Sequence, residues 1–141
     1  MEFKQPENTV VNDKTYLLEE DYLFNSTTAQ RYFVYKVPKG YIWDGASISP
    51  LLAFFMRRGG LAMAASVLHD YMYEHGSIEK AIGSEDRISG FRRIGVGREF
   101  ADKVFYDALI RAGYSEWKAK ISHKCVRLFG KKYWRGLPEV A

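Results

Sequence analysis

The chain is nearly devoid of cysteine: Cys125 is the single one among 141 residues. No intramolecular disulfide can form, which excludes a disulfide-stapled secreted domain and fits a reducing compartment. Long apolar runs are also lacking. The longest, over residues 49–56 and 59–68, fall far short of the roughly 20 residues that cross a bilayer, so an integral membrane protein is not expected. The opening residues MEFKQPENTV carry no basic-then-apolar targeting pattern. Repeats, low-complexity tracts and a convincing interdomain linker are missing as well, so a single domain over residues 1–141 is expected. The glycines of Gly95-Val96-Gly97 lack both the Lys-Ser/Thr ending and the preceding strand of a phosphate-binding loop. The three histidines show no tight spacing of the kind zinc requires.

What is present supports a real core. Apolar residues make up 47% of the chain and aromatics 16%, which is not a disordered composition. The formal charge of +4 implies a mildly basic surface, compatible with nucleic acid or anionic lipid and specific to neither.

The first forty residues read as the β-rich part. TYLLEEDYLF (15–24) and RYFVYKV (31–37) are rich in aromatic and β-branched residues, and the turn-like Asn25-Ser26-Thr27-Thr28 between them predicts a hairpin. Pro38-Lys39-Gly40 ends the second strand. Residues 41–141 read as a loop followed by helices. Leu61, Ala65, Leu68 and Met72 share one helical face, His69 and Tyr73 lie beside it, and Gly76 stops the helix. Residues 76–97 hold five glycines and many charges. They are expected to form a loop, with a short helix over 84–91 behind Ser84. A second helix is expected over about 98–112, with Ala101, Val104, Phe105, Ala108, Leu109 and Ala112 as its apolar stripe. A third follows Ser115, with Trp117, Ile121, Cys125, Leu128 and Phe129 expected to point inward. Strands followed by helices give an α+β fold: a small antiparallel N-terminal sheet and a three-helix core in which two antiparallel helices carry the site.

Three elements bear on chemistry. Adjacent helical residues point about 100° apart, so His69 and Asp70 face neighbouring sectors of one helix and can serve one cleft. Asp102, three residues before Phe105 and seven before Leu109, borders the stripe of the second helix. If that helix packs antiparallel on the first, Asp102 reaches His69 and supports it as a base. The same position, in the first turns of a helix, also suits an acid favoured by the helix dipole. Asp44-Gly45 offers a loop carboxylate and a carbonyl that a glycine can turn outward, as hard cations such as calcium require, and equally an ordinary turn. A histidine base with two carboxylates for an ion suits metal-assisted hydrolysis.

The segments VPKGYIWDGASISP, VLHDYMY, REFADKVFYDALIRAG and CVRLFGKKYW, in this order, resemble a family of uncharacterised bacteriophage proteins over about residues 37–134. The chain also resembles, more distantly, the calcium-dependent sn-2 phospholipases of the prokaryotic type. The carriers are Asp44, Gly45, Ser47 and Pro50 of DGASISP, His69, Asp70 and Tyr73 of HDYMY, and Asp102 and Phe105 of ADKVFYDAL. Ala46 stands where that family has cysteine, and the spacing from His69 to Asp102 is longer. The resemblance implies that His69 is the general base for water, that Asp102 holds His69 and that Tyr73 fixes Asp102. It implies a calcium ion bound by Asp44, the Gly45 carbonyl and Asp70, polarising an ester carbonyl.

The leading expectation is therefore a calcium-dependent, phospholipase-like ester hydrolase of phage origin, at work in the host cytoplasm or carried in the virion. A second is a non-catalytic phage structural or accessory protein, associated with other phage proteins, in which the same residues form a buried polar network. A third is a nucleic-acid-binding protein. From Gly113 onward seven Lys or Arg face two acids, Glu116 and Glu139, with Tyr133 and Trp134 as stacking groups. That basic helix equally suits anionic lipid headgroups.

Overall fold

A computed structural model describes residues 3–12, 15–26, 33–44, 63–84 and 86–136. The strands β1 (Asn8–Asn12), β2 (Thr15–Leu18), β3 (Tyr22–Ser26), β4 (Phe33–Val37) and β5 (Ile42–Trp43) come first. Helix α1 (Met63–His75) follows, then strands β6 (Ser77–Ser84) and β7 (Arg87–Gly95), helices α2 (Arg98–Arg111) and α3 (Glu116–Phe129), and a 3-10 turn over Lys131–Tyr133. The strands form two antiparallel sheets, in the orders β1-β2-β5 and β3-β4-β6-β7. The class is α+β, as expected.

The hairpin lies between β3 and β4, with Phe24 opposite Tyr35 and Tyr22 opposite Val37. The stretch 15–24 is not one strand. It breaks at Glu19-Glu20-Asp21, and β2 leaves for the other sheet, where Tyr16 faces Trp43. Three consecutive acids disfavour a continuous strand. The backbone of Leu18 instead bonds Tyr41 and Gly40, which draws β2 toward the end of the β4–β5 connection.

Residues 76–97 also differ from expectation. They form the β6–β7 hairpin, with Ile78 opposite Ile94 and Lys80 opposite Arg92, rather than a loop with a short helix. Ile78 is buried opposite half-buried Ile94, and β6 adds to the edge of β4 through Tyr35–Lys80 and Lys36–Glu79, a long-range pairing that a local propensity argument omits.

Helix α1 is the centre of the molecule. Nine of its thirteen residues are buried, Leu68, Met72 and Ala65 among them, and Gly76 ends it at φ 63° with its N–H on the Met72 carbonyl. The α2 stripe of Ala101, Val104, Phe105, Ala108 and Leu109 is buried as read, and Ala112 caps the helix. The two helices run in opposite senses: Tyr73, late in α1, meets Arg98 at the start of α2, while His69 meets Phe105 further on.

Helix α3 is turned from the expected orientation. Its buried face is Ala119, Ser122 and Val126. Trp117, Ile121, Leu128 and Phe129 are exposed, and Cys125 is half-buried. The small-residue face permits close approach to α2.

Candidate functional site

Asp102 is the hub. It lies on α2 with 0% exposure, as does His69 on α1. His69 Nε2 is 2.7 Å from Asp102 Oδ1, and the Tyr73 hydroxyl donates to the same oxygen over 2.6 Å. The other oxygen, Oδ2, accepts from Arg127 Nη1 at 2.7 Å and lies 3.5 Å from Arg98 Nη1. Arg98 also donates to the Tyr73 hydroxyl and to the carbonyls of Val126 and Arg127, so it clamps the end of α3 onto the network. Both carboxylate oxygens are thus supplied with donors, as a buried charge requires.

Electrostatics follow from this geometry. Burial pushes the Asp102 carboxyl up, but the hydrogen bonds and charges of His69, Tyr73 and Arg127 outweigh it and hold the group below the ordinary carboxylate value. Burial, then the Asp102 charge, pushes the Tyr73 hydroxyl well above its ordinary value, so it stays a donor. With Asp102 a carboxylate, Nε2 carries the proton of the His69–Asp102 bond, and in the neutral ring the lone pair lies on Nδ1. Tyr73 and Phe105 hold the imidazole, with ring centroids 4.0 and 4.8 Å away.

Beside the network is a cavity of about 320 Å³. It is bordered by three carboxylates (Asp44, Asp70 and Glu74), by Tyr41, Trp43, Tyr73 and Tyr133, and by Arg135. Tyr73 therefore belongs to both places: its ring borders the cavity while its hydroxyl bonds Asp102. Asp70 follows His69 in the helix and faces the cavity, whereas His69 faces α2, the sector division that the helical repeat imposes. Among the described residues His69 does not border the cavity.

The Tyr41 hydroxyl donates to Glu74 Oε2 at 2.7 Å. Burial, the Glu74 hydrogen bond and then the charges of Asp70, Glu74 and Asp44 push Tyr41 far above its ordinary value, which places all three carboxylates within electrostatic reach of one hydroxyl. Among the described residues the indole N–H of Trp43, whose residue is 3% exposed, has no hydrogen-bond partner. A buried donor left unmade costs about 1–3 kcal/mol.

The family described as "Protein of unknown function (DUF1353)" matches residues 16–126. The chain belongs to this family. The matched span contains Asp44, His69, Asp70, Tyr73, Arg98 and Asp102, and stops one residue before Arg127. It begins earlier and ends earlier than the resemblance read from the motifs. No curated protein and no solved structure matches the chain.

The structure brings His69, Tyr73 and Asp102 into direct contact, and Asp44 and Asp70 onto one cavity. Gly45 lies outside the described residues, as do Ala46, Ser47, Pro50 and Leu61. Among the described residues no cluster of three or more His, Cys, Asp or Glu is arranged to hold a metal ion. The donor chemistry of Asp44 and Asp70 is nonetheless that of a hard cation, oxygen only, and Glu74 is a third carboxylate already engaged by Tyr41. Sequence reasoning missed Arg98, Arg127, Trp43, Tyr41 and Glu74 as parts of the site. Arg98 had a local signal, four residues before Asp102 on the same face. Arg127 had none, because it comes from another helix and reads as one more cation of a basic stretch.

Proposed function

We propose that the chain is a hydrolase of ester bonds, with phospholipids as the substrate class, and that it has a phage origin. The single observation that carries the catalytic part is the His69 Nε2–Asp102 Oδ1 pair at 2.7 Å, beside a cavity with two further carboxylates. His69 takes a proton from water through Nδ1. The hydroxide so formed attacks the ester carbonyl, and the leaving alkoxide recovers the proton from the imidazolium. Asp102 holds the ring in the tautomer this requires and stabilises the charge it acquires. Tyr73 and Arg127 hold Asp102. Asp44 and Asp70, with the Gly45 carbonyl suggested by the resemblance, would hold calcium. When bound, the ion would polarise the ester carbonyl.

The His69 ring has no exposure, so turnover requires that binding opens the structure over it. The same burial favours a second reading, in which the network is structural and the protein is a non-catalytic phage component in the virion or the host cytoplasm. Arg98 and Arg127 suit that role because they join α3 to the α1–α2 pair.

The deciding experiment is fatty-acid release from phospholipid, including a short-chain soluble one, by the full chain in calcium and in chelator. Calcium-dependent release that His69→Ala abolishes while the protein stays folded supports the hydrolase. Absence of release over several lipids, with His69→Ala unfolding the chain, establishes the structural reading.

A further inference from the structure

Helix α3 carries four of the eight large apolar side chains that are exposed among the described residues: Trp117 at 56%, Ile121 at 41%, Leu128 at 64% and Phe129 at 55%. Trp117, Ile121 and Leu128 follow one another at spacings of four and seven, so with half-buried Cys125 between them they form one stripe along the helix axis. Phe129 lies next to it. This stripe is on the opposite side from Ala119 and Val126, which face the core. A 14-residue helix thus buries its small residues and presents its large ones.

The flanks of the stripe are cationic. At 100° per residue Lys118 falls on one side, and Lys124 and Lys120 on the other. Lys120 is balanced by Glu116 at 2.9 Å, and Arg127 is spent on Asp102. Among the described residues Lys118 and Lys124 make no ion pair, and exposed Lys131, Lys132 and Arg135 continue the charge past the helix end. Apolar side chains with a tryptophan on one face, bordered by lysines, match a helix that lies in the plane of a bilayer surface.

We propose that this face of α3 docks the protein on a membrane surface rich in anionic lipid, with Trp117, Ile121, Leu128 and Phe129 in the acyl boundary and Lys118 and Lys124 at the headgroups. Charge complementarity favours this occupant over a second copy, since a two-fold contact would bring each lysine flank against another lysine flank. Nucleic acid would use the cations and the tryptophan, and would leave Ile121 and Leu128 without a partner. Chain continuity adds a consequence. The segment that leaves α3 provides Tyr133 and Arg135 to the wall of the acidic cavity, so the docking helix and the cavity mouth are joined by a few residues. The docking stands on the exposed face and goes beyond the hydrolase reading; it does not need catalysis.

The test is co-sedimentation of the full chain with vesicles of phosphatidylcholine alone and of phosphatidylcholine mixed with phosphatidylglycerol, alongside Trp117 emission compared with a Trp117→Tyr variant. Expected is partition onto the anionic vesicles at least about tenfold stronger than onto the neutral ones, and weakened by salt. Leu128→Glu, at a position exposed enough to leave folding intact by circular dichroism, lowers that partition at least about tenfold. Lys124→Glu lowers it about fivefold on anionic vesicles and leaves neutral ones unaffected. A blue shift that requires Trp117 supports the same conclusion. Absence of partition onto anionic vesicles overturns the proposal, as does partition that Leu128→Glu leaves unchanged. A native dimer that Leu128→Glu dissociates, without vesicle binding, assigns the face to a second copy. Salt-sensitive DNA retention without vesicle binding assigns it to nucleic acid. Because vesicle binding is read without turnover, a catalytically silent protein that docks leaves this proposal standing while the hydrolase fails.

Discussion

Arg127 donates to Asp102 Oδ2 over 2.7 Å, and it does so from α3, a helix that holds neither member of the His69–Asp102 pair. The third helix is therefore part of the electrostatics of the site. A carboxylate bonded only to histidine would be a strong support for an imidazolium. Here two guanidinium groups share its charge, which stabilises the buried carboxylate and moderates what it offers His69.

The first prediction concerns that hub. Asp102→Asn keeps the shape but removes the charge that faces Arg98, Arg127 and His69. The loss expected is about 3–5 kcal/mol, the range for breaking a buried ion pair from one side. Urea unfolding followed by circular dichroism measures it. A loss below about 1 kcal/mol, the size of an exposed pair, means that Asp102 is not the hub.

A second prediction separates the cavity from the network. Asp44 is exposed and Asp70 borders the cavity, so Asp44→Asn should cost no more than about 1 kcal/mol in chelator, the size of an exposed charge interaction. Calcium at about a hundredfold over its dissociation constant should stabilise the native chain by about 2.7 kcal/mol. Asp44→Asn and Asp70→Asn should each remove most of that gain. An equal calcium effect on all three proteins excludes these two residues as ligands.

Gly130 provides the third. An added Cβ there would lie 2.7 Å from the Tyr73 hydroxyl and 2.5 Å from the Val126 carbonyl. Gly130→Ala should displace Tyr73 from Asp102 and cost about 1–3 kcal/mol, as overpacking does. Tyr73→Phe removes the hydroxyl and relieves part of the clash, so the double variant should be less destabilised than the sum of the two. Strict additivity in a double-mutant cycle refutes the contact.

The pH dependence follows from the signs. The folded Asp102 carboxyl titrates below its unfolded value of 3.8, so its contribution is present above that value and is lost as pH falls through the folded one. At the other end, burial and then the charge of Asp107 push Tyr35 up to about 12, and burial first also raises Tyr22, Tyr41 and Tyr73. These tyrosines contribute stability that is complete below 10.0, their unfolded value, and is lost as pH rises through the folded values. Stability measured from pH 2 to 12 should therefore form a plateau with two falling edges. Asp102→Asn should flatten the acid edge and spare the alkaline one, and an unchanged acid edge would contradict the assignment.

Much of this was legible in the residues alone. Helix α1 ends where Gly76 stands, the α2 stripe is buried as its period requires, and the His69–Asp102 contact follows once those stripes are packed antiparallel. Local pattern carries such elements because each helix face is judged by its own spacing. The β6–β7 hairpin was not legible. Its glycines and charges look like loop, and only the edge of β4 makes them a strand pair.

The sequence by itself determined an α+β class, a central apolar helix with His69 and Asp70 on adjacent sectors, and an acid at the border of the next helix. Tertiary structure alone decided that Tyr73 borders both the network and the cavity, that Arg98 and Arg127 close the second oxygen of Asp102, and that α3 turns Trp117, Ile121, Leu128 and Phe129 outward. The physical reason is common to all three. A period states which residues share a face, but the face that is buried is chosen by the shape and charge of whatever lies opposite, and that partner is distant in the chain.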